Sequence, residues 1–166
     1  FVAAGKFHHL KCIIPENRKV WVAASTHEPE EDDVGYVHAE LKYRVPGILT
    51  FLAPRHPNRC VHIKRHLEEV YHLRCELYSE HTLRYPIADG VDILIVDTVG
   101  VLVGLYACCG VCFLGGSLVS GIGGHNPLEC SATLVWPETQ DQVRYSCALI
   151  HGPLVENNQD LFDTIH

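Results

Sequence analysis

The chain has 166 residues and a formal net charge of −7 at pH 7, long enough for one domain with a real core or for one half of a two-domain enzyme. No basic patch or run accompanies that charge, which argues against a nucleic-acid partner. Eight cysteines are scattered, and Cys108, Cys109, Cys112 and Cys147 lie inside apolar runs, so they read as reduced thiols rather than a disulfide framework. Cys109 and Cys112 form a C-x-x-C with no second pair to complete a zinc site. The chain opens on Phe1, contains no methionine and shows no signal peptide, so a fragment is expected.

In chain order, Val20 to Ser25 (V-W-V-A-A-S) is a short apolar run of strand type ending in Ser25-Thr26-His27. Glu28, Glu30, Glu31, Asp32 and Asp33 follow, a composition suited to the positive N-terminus of a helix. Val34, Val37, Leu41 and Val45 then recur at helical spacing until Pro46-Gly47 stops the pattern. These carboxylates read as helix capping and solubility, Glu31 excepted. Ile48 to Ala53 is a second strand, closed by Pro54-Arg55-His56-Pro57. An arginine between prolines stands on a stiffened turn, and its fork matches phosphate or carboxylate.

Cys60 to Tyr71 reads as a helix with Val61, Leu67 and Val70 on its apolar face. Lys64-Arg65-His66 reads as its solvated side. Arg74 to Ser79 suits an edge strand, and Glu80 to Asp89 a loop. Ile93 to Val96 is a buried strand closed by Asp97 and Thr98. From Val99 to Leu118 the chain carries no charge, a run long enough to cross a bilayer. Its five glycines instead favour a buried helix, Val101 to Cys108, followed by a buried strand, Val111 to Leu114.

That strand opens into Gly115 to Glu129, G-G-S-L-V-S-G-I-G-G-H-N-P-L-E. Glycines allow backbone amides to approach a ligand closely, and Asn126 with Pro127 reads as the cap and first position of a helix. A strand, glycine loop and helix N-terminus favour an anion such as phosphate, with Glu129 placed for the hydroxyls of a sugar or ribose. After a loop-like stretch around Trp136 to Asp141, Cys147 to Ile150 restores a strand and Asp160 to Ile165 starts a last helix. Alternating strands and helices predict a parallel α/β sheet with helices on both faces. The strand ends then put Ser25, Thr26, His27, Glu31, Arg55, Gly100, Gly124 and His125 on one edge, where open α/β sheets bind ligands.

Four blocks, V-W-V-A-A-S-T-H-E from Val20, L-A-P-R-H-P from Leu52, V-D-T-V-G from Val96 and G-G-S-L…G-G-H-N-P-L-E from Gly115, together resemble the C-terminal domain of the 3-deoxy-D-manno-octulosonic acid (Kdo) transferases. C-A-L-I-H-G-P from Cys147 is a fainter match. The resemblance implies a three-layer Rossmann-like domain over residues 1–166. It would be the C-terminal half of a GT-B glycosyltransferase whose N-terminal acceptor domain lies outside the chain. The implied reaction moves Kdo from CMP-Kdo to a lipid A precursor (lipid IVA) with inversion, without cofactor or metal. It would run at the cytoplasmic face of the bacterial inner membrane or, in a eukaryote, in a mitochondrion or plastid, with the absent domain meeting the membrane surface.

Carried over by position, Pro54, Arg55, Val99, Gly100, Val101, Asn126, Pro127, Leu128 and Glu129 would contact CMP. Lys6 matches a lysine that stabilises the transition state, and the general base is a glutamate of the absent domain. Two departures stand out. Val101 occupies a position that is usually glutamate, and Ser131 to Ser146 lengthens the link between helix and strand. Val101 and the missing base support an alternative, an inactive nucleotide-sugar-binding or scaffold domain of the same descent.

Overall fold

A computed structural model describes residues 8–81, 86–127 and 148–155. Six strands form one sheet: β1 (Val20–Thr26), β2 (Leu49–Pro54), β3 (Cys75–Leu77), β4 (Ile93–Ile95), β5 (Val111–Leu114) and β6 (Ala148–His151). Their order is β3-β4-β2-β1-β5-β6 and every pair is parallel. The strands expected near Val20, Ile48, Ile93, Val111 and Cys147 are all present, and the Arg74 to Ser79 stretch supplies β3 at the edge.

The sheet is parallel and buried because its strands are apolar on both faces. Alternate residues divide between two cores. Val22, Ala24, Leu49, Phe51, Leu94 and Leu114 face one cluster, which Leu10 and Ile13 of α1 (His8–Ile13) and Leu105 and Tyr106 of α4 (Leu102–Tyr106) complete. Trp21, Ala23, Leu52, Ile93 and Ile95 face the other, against Val34 of α2 (Glu30–Arg44) and Ile63 and Leu67 of α3 (Cys60–Tyr71). The result is a three-layer, Rossmann-like α/β domain.

Several local expectations need correction. The buried side of α2 is Glu30, Glu31, Val34, Gly35 and His38, whereas Val37 is exposed. On α3 the buried residues are Cys60, Ile63 and Leu67, while Val61 and Val70 face out. The rest of the expected series holds: Val34, Leu41 and Val45 of the α2 pattern and Leu67 of α3 pack against the core. The uncharged run from Val99 to Leu118 divides into α4 and β5, and among the described residues no helix is long and apolar enough to cross a membrane. The short α1 was not anticipated. The stretches around Trp136 to Asp141 and Asp160 to Ile165 lie outside the described residues.

Parallel strands put all carboxyl ends on one edge. From β1 the chain proceeds to β2 on one side, while β5 and β6 lie on the other. The β1 and β5 loops therefore diverge at a switch point, the place where such sheets form a crevice.

Candidate functional site at the carboxyl edge of the sheet

The end of β1 is irregular. The pairing with β2 shifts register between Ala24 and Thr26, and Ser25 between them has φ +54°. A non-glycine residue in that region is strained and is held there by its surroundings. The shift separates the fates of neighbouring side chains. Ser25 turns towards a cleft, whereas Thr26 is fully buried and its Oγ1 donates to Glu31 Oε1 at 3.3 Å. Glu31 is buried too and pairs with Arg59 Nη1 at 3.0 Å. Thr26 and Glu31, expected to line the site, instead lie beneath it and tie the start of α2 to the turn before α3.

The glycine loop also differs from expectation. Glu30 is fully buried, and its carboxylate accepts from the backbone amides of His27 (2.9 Å), Gly116 (2.8 Å) and Leu118 (3.1 Å). In the first glycine pair the Gly116 amide thus meets a carboxylate of the chain itself, while the Gly115 amide donates to Ala24 O. Burying that charge is tolerable because three N–H groups converge on it. Gly115 allows the approach: a Cβ there would lie 2.6 Å from both Ser25 O and Thr26 Cα. Gly116, at φ +73°, would set its Cβ 2.9 Å from the His125 ring. Sequence reasoning missed Glu30 because it stands in an acidic run that looks like an ordinary helix start.

His125 lies over this loop, its Nε2 2.8 Å from Nε2 of His27, with the rings stacked at 5.1 Å between centroids. His56 meets His27 edge-on at 5.7 Å. Burial lowers the pKa of His27, with opposing and reinforcing charges from Glu30, His56, Glu31 and Arg55. Burial also lowers that of His125, helped by His27 and Arg55. Beside them a cleft is lined by Ser25, Pro54, Arg55, Thr98, Val99 and Gly100. Arg55 is exposed, and its amide extends the pairing of the strand ends by donating to Thr26 O at 2.9 Å. The edge thus presents a guanidinium and three imidazoles, a set suited to an anion.

No family model matches the chain. The 3-deoxy-D-manno-octulosonic acid transferase of Haemophilus influenzae is 33% identical over 129 residues, which are 75% of this chain and 28% of that protein. The probable mitochondrial 3-deoxy-D-manno-octulosonic acid transferase of Arabidopsis thaliana is 33% identical over 114 residues, 69% of this chain and 25% of that protein. Among solved structures, the C-terminal CMP-Kdo binding domain of WaaA from Acinetobacter baumannii superposes with a TM-score of 0.73 at 29% identity, covering 93% of this chain and 72% of that one. By sequence and fold, the chain belongs to the Kdo transferases, in their C-terminal half. It spans about a quarter of the length of the curated relatives it matches.

Of the residues that the Kdo transferase resemblance assigns to CMP, Pro54, Arg55, Val99 and Gly100 meet around one cleft, with Ser25 beside them. Its volume of about 110 Å³ suits a phosphate or a sugar ring, since pockets for whole ligands usually hold ~300 Å³ or more. Val101 precedes α4 and packs against the apolar cluster beneath it, so its side chain faces the core. Gly124 packs against Leu154 and Val155, after β6. Asn126 is exposed and Pro127 lies in a turn, and the helix expected from there falls on residues outside the described ones, where Lys6, Leu128 and Glu129 also lie. Asp97 turns from the cleft to accept from the Ser79 amide at 2.9 Å.

Among the described residues no two cysteines are joined in a disulfide. Burial pushes the Cys60 thiol up to about 11 and that of Cys75 up to about 12, so neither has thiolate character near neutral pH. Among the described residues no group of three or more His, Cys, Asp and Glu is arranged to hold a metal ion.

Proposed function

We propose that this chain is the donor-nucleotide half of a transferase that moves Kdo from CMP-Kdo to the lipid A precursor lipid IVA, with inversion at the anomeric carbon. The observation that carries the reading is the position of Arg55. It stands at the carboxyl edge of a Rossmann-like sheet in a chain that superposes on a domain described as CMP-Kdo binding. In this reading Arg55 contacts the phosphate, and Ser25, Pro54 and the Val99-Gly100 turn shape the floor beside it. Asn126 to Glu129 complete the nucleotide contacts, with Glu129 on the ribose, while Lys6 stabilises the charge that develops on the leaving group.

The chemistry follows from that charge. As the glycosidic bond breaks, its electron pair goes to a phosphate oxygen, and fixed positive groups lower the barrier without reorganising. A monophosphate leaving group has no second phosphate for a divalent ion to bridge, so no metal or other cofactor is required. The attacking hydroxyl needs a general base, which an N-terminal domain would supply together with the surface that meets the membrane. The relatives that share this half are bacterial or mitochondrial, and the cytoplasmic face of a bacterial inner membrane is the setting proposed. The test is transfer itself: the complete reading frame, given CMP-Kdo and lipid IVA, should release CMP and add the mass of Kdo to the lipid. Absence of both products from a folded full-length protein would overturn the reading.

A further inference from the structure

The His27–His125 contact is built rather than incidental. The two Nε2 atoms are 2.8 Å apart across nearly parallel rings inclined by 11°. Gly116 leaves the space that the His125 ring occupies, and Glu30 fixes both Gly116 and the backbone of His27. Two Nε2 atoms at this distance must share one hydrogen: one ring donates, the other accepts. A second proton on the accepting nitrogen would set two N–H groups against each other.

We propose that His27 and His125 act as one unit that takes up a single proton when a nucleotide phosphate binds beside Arg55, and that this proton passes to the leaving phosphate. The inference rests on the nucleotide reading above and names residues for a step that reading leaves open. In that step the bond between anomeric carbon and phosphate oxygen breaks, and the electron pair stays on oxygen. One phosphate oxygen accepts the proton of the pair. The acceptor hydroxyl loses its own proton to a base outside this chain, CMP leaves carrying the proton of the pair, and the pair, neutral again, takes its next proton from solvent when another donor binds.

The surrounding charges fit this role. Glu30 from α2 favours protonation of both rings and Glu31 that of His27, whereas Arg55 after β2 opposes both and His56 opposes that of His27. The balance with burial leaves both imidazoles below their ordinary range, hence neutral near pH 7 until an anion arrives. The phosphate anion of a nucleotide would tip that balance. Uptake then makes binding weaken as pH rises, by about tenfold per pH unit where one proton is taken up.

The test uses the 166-residue chain and three probes: CMP, cytidine and inorganic phosphate. Calorimetry at about pH 7.5, where phosphate monoesters are dianionic, in buffers of different ionisation enthalpy counts protons. CMP binding should take up close to one, and cytidine none. His27→Gln and His125→Gln should each abolish the uptake while cytidine still binds, and amide spectra establish that both variants are folded. Nitrogen-15 imidazole spectra of the free chain should show one ring protonated at Nε2 and the other at Nδ1. Uptake that persists in His125→Gln, or two rings that titrate independently, would overturn the proposal. If the parent chain binds no CMP, the nucleotide reading fails by itself. The pair is then judged on inorganic phosphate, where joint protonation of both rings supports it and unmoved ring signals refute it.

Discussion

Glu30 shows how a single side chain can hold a site together without touching a ligand. It joins the residue after β1 to two amides of the glycine loop, across sequence separations of 86 and 88 residues. That role was not legible, because five carboxylates within Glu28 to Asp33 look alike to any local rule, and only the fold distinguishes the two on the buried side. Arg55 was legible, since its prolines and its place after an apolar run survive in three dimensions. Thr26 was legible as a strand end but not as buried, because the register shift at Ser25 is invisible in sequence. Glu30→Gln keeps the shape and removes the charge from three hydrogen bonds. It should cost about 1.5–3 kcal/mol in urea unfolding, and the amide resonances of His27, Gly116 and Leu118 should shift together.

At the scale of elements, the strands were read well because a buried parallel strand is marked by its own composition. α2 and α3 were read for extent and in part for face, with Val37, Val61 and Val70 turned outward against expectation. The amino edge is held by groups that no motif marks. Arg18 is buried and donates to the carbonyls of Gly47 (2.7 Å), Ala88 (3.2 Å), Ile48 (3.0 Å) and Val91 (2.6 Å), stapling the loops that enter β2 and β4. Arg18→Ala leaves those carbonyls unpaired and should destabilise the domain by about 3 kcal/mol, measured by denaturant unfolding.

Asp92, just before β4, joins α2 to β3. It accepts from Lys42 Nζ at 2.9 Å and from the Arg74 amide at 2.9 Å, with His38 Nε2 3.7 Å away. Burial pushes its carboxyl up, but the His38, Lys42 and Arg74 partners outweigh burial and hold it well below the usual carboxylate range. A depressed folded pKa contributes stability that is present above the unfolded value, about 3.9, and is lost as pH falls below it. Asp92→Asn should therefore be less stable than the parent at pH 7, and the gap should narrow steadily below about pH 4. A gap independent of pH would assign the residue a purely steric role.

For the whole molecule, the parallel order of six strands brings residues from β1, β2 and the turn after β4 to one cleft at the edge where the β1 and β5 loops diverge. That convergence was legible, because each strand ended in a polar or glycine cluster and parallel strands share an edge. The filling of the glycine loop by Glu30 was not, because it depends on packing α2 against the switch point. Recognition of a cytidine nucleotide at this edge, with Arg55 on its phosphate, is decided by calorimetric titration of the chain with CMP and UMP. CMP should bind at least about tenfold more tightly than UMP, and Arg55→Ala should weaken CMP by about 1.5–3 kcal/mol, the cost of a lost charge-assisted hydrogen bond. Equal affinity for the two nucleotides, or a folded Arg55→Ala variant that binds CMP as well as the parent, would contradict it.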